Sequence, residues 1–185
     1  MDVYGGKEMA AAFRTVRNNT ITIAEEIPED RYSFRATPET RTIGQLLTHI
    51  ALITNVPMHI HGNKINDLKQ VNFPQLMKEA GTLEMMPRSK ADIIMLLKSE
   101  RDKFAAFLEG TTNGFLAEGV ATPNPDQPSR SRFEMLLSAK EHEMHHRAQL
   151  MMMQRMIGIT PHLTLQMQER MARAQQGQQQ APSGR

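Results

Sequence analysis

Three histidines, His142, His145 and His146, sit among apolar residues in the stretch from Ser131 to Gly158. On a helix, Met135, Ala139, His142, His146, Leu150, Met153 and Ile157 recur at steps of three and four and so form one stripe. Two imidazoles inside an apolar seam are costly to bury unless their nitrogens are satisfied. A pair at i and i+4 lies one turn apart, about 6 Å along the axis, which lets both rings converge on one cation. Neutral imidazole suits zinc, nickel, iron and manganese, and a catalytic site commonly takes three protein ligands and leaves a position open. His49, His142 and His146 could supply those three. The plainer alternative stays open, because HxxxH on a helix is a weak motif and each ring could instead bond a backbone or carboxylate group. His145 lies about 100° round the helix from His146 and points to solvent or a dimer contact. His59, His61 and His162 fall in or beside irregular segments and are expected to be exposed.

His142-Glu143-Met144-His145-His146 also matches HExxH, in which the glutamate is the general base for a zinc-bound water. A zinc protease would want a third ligand downstream, for which Glu169 is at a possible distance, and a strand edge to hold a peptide. No strand pattern is present. Glu143 keeps a candidate role as acid, base or partner to a ligand in some other chemistry.

Four helices would position these residues. Met9, Phe13, Val16, Thr20, Ile23 and Ile27 give the first, stopped by Pro28. Thr42-Ile43-Gly44-Gln45 is a capping box opening the second, whose apolar face is Ile43, Leu46, Leu47, Ile50, Ile53 and Thr54, with His49 at its edge. Pro57 should bend or end it. Residues 63–87 read as a loop with a short helix from Pro74 to Ala80, ended by Gly81. Ser89 and Asp92 start the third helix, which ends near Gly110; Arg101 interrupts its apolar stripe and is expected to be paired or snorkelling. Residues 111–128 read as an irregular connection that walls a site. Ser131 to Glu134 is a further capping box opening the fourth helix, closed by Gly158, and a shorter helix from Pro161 to about Arg173 follows. The expectation is one domain over residues 1–173 and a disordered glutamine-rich tail over 174–185.

The fold class expected is all-α, an antiparallel bundle. A second apolar stripe on the fourth helix, Phe133, Leu137, Met144, Ala148 and Met151, suggests a homodimer. With 22 basic against 20 acidic residues in 185, no electrostatic footprint of a nucleic-acid binder exists. Cysteine is absent, so any thiol in the chemistry comes from a substrate. Neither a leader pattern nor a membrane-length apolar run is visible, and a cytoplasmic protein acting on a small molecule is the expectation.

Two segments resemble the DinB/YfiT-like metalloenzyme family: Thr37-Pro38-Glu39-Thr40-Arg41-Thr42-Ile43-Gly44-Gln45-Leu46-Leu47-Thr48-His49-Ile50, and His142-Glu143-Met144-His145-His146-Arg147-Ala148-Gln149-Leu150 leading into Met156-Ile157-Gly158. The second, HxxxHRxQ, is the more specific. The resemblance covers nearly the whole bundle and implies an up-down-down-up four-helix bundle, frequent dimers, and a divalent metal on His49, His142 and His146. Ala148 stands where the family often has glycine, on the side opposite the ligands. The family further implies transfer or isomerisation with a low-molecular-weight thiol cosubstrate, with a metal-dependent hydrolase as the alternative. A non-enzymatic stress or interaction protein is the third class. Fold alone does not choose among them.

Overall fold

The computed structural model describes residues 4–180, with the side chains of 4–176. Among the described residues there are eight α-helices and one two-stranded sheet, more elements than the four helices and short extra helix expected. The bundle is built from α1 (Gly6–Glu26), α2 (Ile43–Leu52) continued by α3 (Asn55–Gly62), α5 (Lys90–Glu109) and α7 (Arg132–Met156). Around it lie α4 (Phe73–Met85), α6 (Asn113–Ala117), the strands β1 (Gly119–Ala121) and β2 (Ser129–Ser131), and α8 (His162–Gln180).

Side-chain pairings fix the directions of these helices. Glu26 meets Gln154 and Thr20 meets Glu143, so α1 and α7 run the same way. Phe13 meets Phe104 and Glu25 meets Lys98, so α5 runs against α1. His49 lies against His142 and His61 against Arg132, so α2 and α3 run against α7.

Local sequence sets the helix ends. Thr42 accepts from the Gln45 amide at 3.1 Å while its own amide donates to Gln45 Oε1 at 2.9 Å, the reciprocal box expected. At α7 the box is half formed. Ser131 accepts from the Glu134 amide, but the Glu134 carboxylate is taken by Arg130 at 3.0 Å. Gly158 closes α7 with φ +85°, a left-handed conformation that glycine adopts without strain. Gly6 is required by close approach: a Cβ there would lie 2.2 Å from the Leu108 carbonyl oxygen of α5.

The chain breaks between α2 and α3 at Ile53 and Thr54, before Pro57, which sits in the first turn of α3 where a missing amide proton costs nothing. His59 and His61 are therefore helical. Gly81 does not end α4, which runs on to Met85 with its half-buried edge formed by Phe73, Leu76, Ala80 and Glu84. The connection read as irregular contains α6 and the antiparallel pair β1–β2, with Val120 opposite Arg130 and fully buried. Strands of three residues are too short for an alternating pattern to register. The last helix, expected to end near Arg173, continues to Gln180; residues 181–185 of the tail lie outside the described residues. Among the described residues, no helix is long and apolar enough to cross a membrane.

The core is in two parts. One gathers Ile23, Ile27, Ile43, Leu47, Ile50, Leu97 and Leu150; the other gathers Met9, Phe13, Phe104, Leu108, Leu116 and Leu136. Between them lies a buried polar layer. Arg17 donates from Nε to both oxygens of Glu143 at 2.9 Å, from one terminal nitrogen to the Leu97 carbonyl at 3.2 Å and from the other to the Ile50 carbonyl at 2.8 Å. One arginine thus ties α1 to α2, α5 and α7. Thr20 completes the layer by donating to Glu143 Oε1 at 2.8 Å.

Candidate metal centre

His49 stands on the exposed-side edge of α2, and His142 and His146 stand one turn apart on α7, which runs antiparallel beside it. This geometry closes the triad. His49 Nε2 lies 3.3 Å from His142 Nε2, and His142 Nε2 lies 2.7 Å from His146 Nε2. All three ligand atoms fall within 4.8 Å of one another. His146 is buried, His49 half-buried and His142 exposed, so the cluster opens outward through His142.

The partners on the far side of the rings decide which nitrogen is bare. Glu84, from α4, is a carboxylate that accepts only; it takes the His49 Nδ1 proton at 3.0 Å and leaves Nε2 with a lone pair. His146 Nδ1 donates to Gln149 Oε1 at 2.8 Å, which likewise bares its Nε2. Two lone pairs therefore face His142 Nε2. A proton on that nitrogen satisfies one of them, whereas a divalent ion accepts all three at once. Ligand nitrogens at tetrahedral angles around one zinc-sized ion lie roughly 3.3 Å apart. The His49–His142 separation of 3.3 Å already has that value, and the 2.7 Å pair needs to open by a few tenths of an ångström. The donor set fits a metal.

Electrostatics favour the neutral, ligating form of each ring. Burial, aided by Arg41 and opposed by Glu84, pushes the His49 imidazole down to about 4. Burial is also the main cause that lowers His142 and His146, followed for His142 by its neighbour His146 and opposed for His146 by the bond to Gln149. Arg41 bonds the other oxygen of Glu84, so an Arg41–Glu84–His49 chain holds the His49 ring. Such outer partners orient a ligand ring and raise its basicity.

Glu143 does not join the triad. Its carboxylate is fully buried on the core side of α7, taken up by Arg17 and Thr20, and burial pushes it upward against the pull of those two donors. The base that the HExxH match would require therefore faces away from the three histidines. Glu169 lies exposed on α8, beside Arg173. His145 is exposed as expected, yet it is tied to the cluster through Gln149, whose amide nitrogen lies 3.2 Å from His145 Nε2. His59 is exposed. Two other expected-exposed histidines are buried: His61, bonded to Arg132, and His162, whose Nε2 lies 3.3 Å from Asn19 Oδ1. Arg101 is paired, with Asp102 and Asn18. Arg147 is half-buried, and the charge of Glu143 offsets part of that burial.

Glu84 and Gln149 are the site residues that the sequence reading missed. Gln149 had a signal, as the last residue of HxxxHRxQ. Glu84 had none, since it lies in the segment read as a loop and reaches His49 only because α4 folds as a longer helix over α2.

Two cavities meet at the triad. One, of about 400 Å³, lies between α3, α4 and α7 and is walled mainly by apolar groups such as Ile53, Val56, Phe73, Met77 and Met135, with His49, His142 and Glu84 in its lining. The other, of about 1030 Å³, is lined by Arg35, Arg41, Gln149 and a row of methionines, with His146 and again Glu84 in its wall. Residues 62–88 supply much of the first wall, whereas 111–130 supplies Arg130.

The family model of the DinB superfamily matches residues 12–150, which run from within α1 to within α7 and include α4 and all three histidines. The chain belongs to the DinB superfamily. It is 26% identical over 153 residues to the uncharacterised protein YjoA of Bacillus subtilis, covering 83% of this chain and 91% of that one. The crystal structure of the DinB-like YjoA superposes with a TM-score of 0.60 at 22% identity, over 83% of this chain and 94% of the other. A DinB-like protein from Bacillus cereus gives 0.62 at 17% identity, over 83% and 93% of the two chains. YfiT from Bacillus subtilis, described as a probable metal-dependent hydrolase with an unusual four-helix bundle topology, gives 0.62 at 14% identity, over 84% and 89%. The all-α fold is thus related to the DinB/YfiT bundle, and α4, α6, α8 and the hairpin are additional to a simple four-helix bundle.

Proposed function

We propose that this DinB-family chain is a divalent-metal-dependent enzyme in which His49, His142 and His146 hold the ion and a low-molecular-weight thiol is the cosubstrate. The observation that carries the reading is the convergence of three imidazole nitrogens, two of them with bare lone pairs fixed by Glu84 and Gln149. A bound divalent ion would supply a lowered pKa to a thiol or to a water.

The choice of thiol over water rests on proton bookkeeping. A free thiol titrates near 8.5, whereas bulk water is near 15.7, so a thiol needs far less help to lose its proton. The chain offers little such help. Glu143 is committed to Arg17 in the core, and Glu84 is engaged by both His49 and Arg41. Arg35 and Arg41 line the larger cavity and suit the carboxylate of a peptide-like thiol, while the apolar cavity suits the small-molecule acceptor of the sulfur.

Hydrolysis with metal-bound water is the second reading, favoured by the likeness to YfiT. Protein loaded in turn with zinc, nickel, iron or manganese separates the two. Consumption of 1-chloro-2,4-dinitrobenzene only when cysteine, glutathione or coenzyme A is present supports transfer. Release of p-nitrophenol from p-nitrophenyl acetate without thiol supports hydrolysis. Bound metal without either turnover would sink both and leave a non-enzymatic metal protein.

A homodimer belongs to the same proposal. Phe133 and Leu137 of the second stripe pack against the protein's own core, and Met151 packs against the other core half, so Met144, Ala148 and the neighbouring Met152 are the α7 surface open to a second copy. A monomer mass by light scattering removes that part.

A further inference from the structure

His61 is fully buried, 1% exposed, in the wall of the apolar cavity, and among the described residues its Nε2 has no hydrogen-bond partner. Its other nitrogen settles what Nε2 carries. Arg132 lies 3.2 Å from His61 Nδ1, and a guanidinium can only donate, so Nδ1 is the acceptor and a neutral ring must bear its proton on Nε2. Burial, with Arg132 adding to it, pushes His61 down to about 4, which keeps the ring neutral at physiological pH. The result is a fixed N–H donor left unpaired in an apolar wall, a state that costs stability unless something accepts from it.

Apart from the triad histidines, the other polar side chains of that wall are paired. Ser138 donates to the Met135 carbonyl at 2.7 Å, Arg130 is paired with Glu134, and Glu84 with His49 and Arg41. The cavity also has two distinct ends. His49 and His142 close one, and the His61–Arg132 pair marks the other. Arg132 and His142 are ten positions apart on α7, about 15 Å at the rise of an α-helix. A mostly apolar cavity of about 400 Å³ with one fixed donor is the form of a small-molecule site, in which the polar group sets orientation.

We propose that this cavity binds an elongated, mainly apolar molecule carrying a carbonyl or ether oxygen, and that His61 Nε2–H reads that oxygen at the end remote from the triad. His61 is then a specificity-determining residue. The assignment deepens the metal-enzyme reading, on which it rests for where the chemistry occurs, but the binding itself needs no metal.

The probes are 2-nonanone and its hydrocarbon isostere 2-methyl-1-nonene, titrated against full-length protein by ligand-observed NMR. The ketone should bind roughly five- to tenfold tighter, the usual worth of one neutral hydrogen bond. His61→Phe, which keeps a ring without the donor, should bring the ratio to about one, and His61→Gln, which keeps an N–H at similar reach, should retain part of it. In ¹⁵N-histidine-labelled native protein the His61 Nε2 resonance should move with the ketone and stay with the alkene, a readout that stands if a variant fails to fold. Equal binding of the two probes, an unchanged ratio in His61→Phe, no binding of either, or an unmoved resonance overturns the proposal. His142→Ala separates this from the metal reading. The ketone preference should survive in that variant; metal retained by the native protein without the preference refutes the role of His61, and preference without metal refutes only the metal enzyme.

Discussion

Two polar clusters sit back to back on α7, and neighbouring residues belong to each. On the core side, Glu143 meets Arg17 and Thr20 in a layer where each charged group has its partner and the backbone of two further helices accepts from both terminal guanidinium nitrogens. On the outer side, His142 and His146 meet His49 in a group with more lone pairs than protons to fill them. Both clusters include buried polar side chains, Arg17 and Glu143 in one and His146 in the other, so burial alone does not separate structure from function. Saturation does. A cluster whose donors and acceptors balance holds helices together, whereas one with converging acceptors and orienting partners behind them is built for a cation.

That contrast predicts opposite phenotypes from residues one position apart. His142→Ala should abolish stoichiometric metal binding, read by elemental analysis, and leave the unfolding free energy of metal-free protein, measured in urea, within about 0.5 kcal/mol of native, the usual range for an exposed substitution. Glu143→Ala should do the reverse. It strands the buried Arg17 charge, at a cost of about 3–5 kcal/mol in urea unfolding, while the fraction that stays folded keeps its metal. A Glu143→Ala protein that is as stable as native but metal-free would return Glu143 to the site and erase the distinction between the two faces.

The same contrast explains what the sequence could and could not reveal. Spacing of three and four residues put His142 and His146 on one face, and the Thr42–Gln45 box fixed the phase of α2 that brings His49 to meet them. The side of α7 that Glu143 faces was harder to read. A glutamate between histidines fits HExxH, and its true partner, Arg17, lies 126 positions away on another helix. Glu84 was invisible for a related reason. Gly81 and the turn residues around α4 argue against a long helix, and packing over α2 overrides that local preference. Breaks in periodicity beside His61 and His162 predict exposure, yet both are buried beside Arg132 and Asn19, which the fold brings close. In each case the deciding partner is distant in the sequence.

A smaller effect sharpens the outer half of the comparison. Glu84→Gln keeps the size of the side chain but removes the charge that holds the His49 ring and bonds Arg41. Loss of a partner behind a ligand typically costs 10–100-fold in metal affinity, so competition against a chelator should show a drop of that order with stoichiometry intact. Unchanged affinity would mean that the two histidines of α7 suffice to position the ion.

The smallest effect concerns His61, which shares features of both clusters: one nitrogen saturated by Arg132, the other unpaired. Its folded-state value of about 4 lies below the 6.5 expected of an unfolded histidine, so between those values the unfolded chain binds the extra proton. The stability that His61 contributes by staying neutral is therefore complete above about 6.5 and is lost progressively as pH falls toward 4. His49, His142 and His146 are shifted in the same direction and add to the loss. Isolating the contribution of His61 takes a difference measurement. Urea unfolding of native and His61→Gln protein, both metal-free, at pH 7 and pH 5 should show a smaller decline for the variant, because glutamine has no proton to gain. Equal declines would place the His61 pKa near its unfolded value and leave the acid sensitivity to the triad alone.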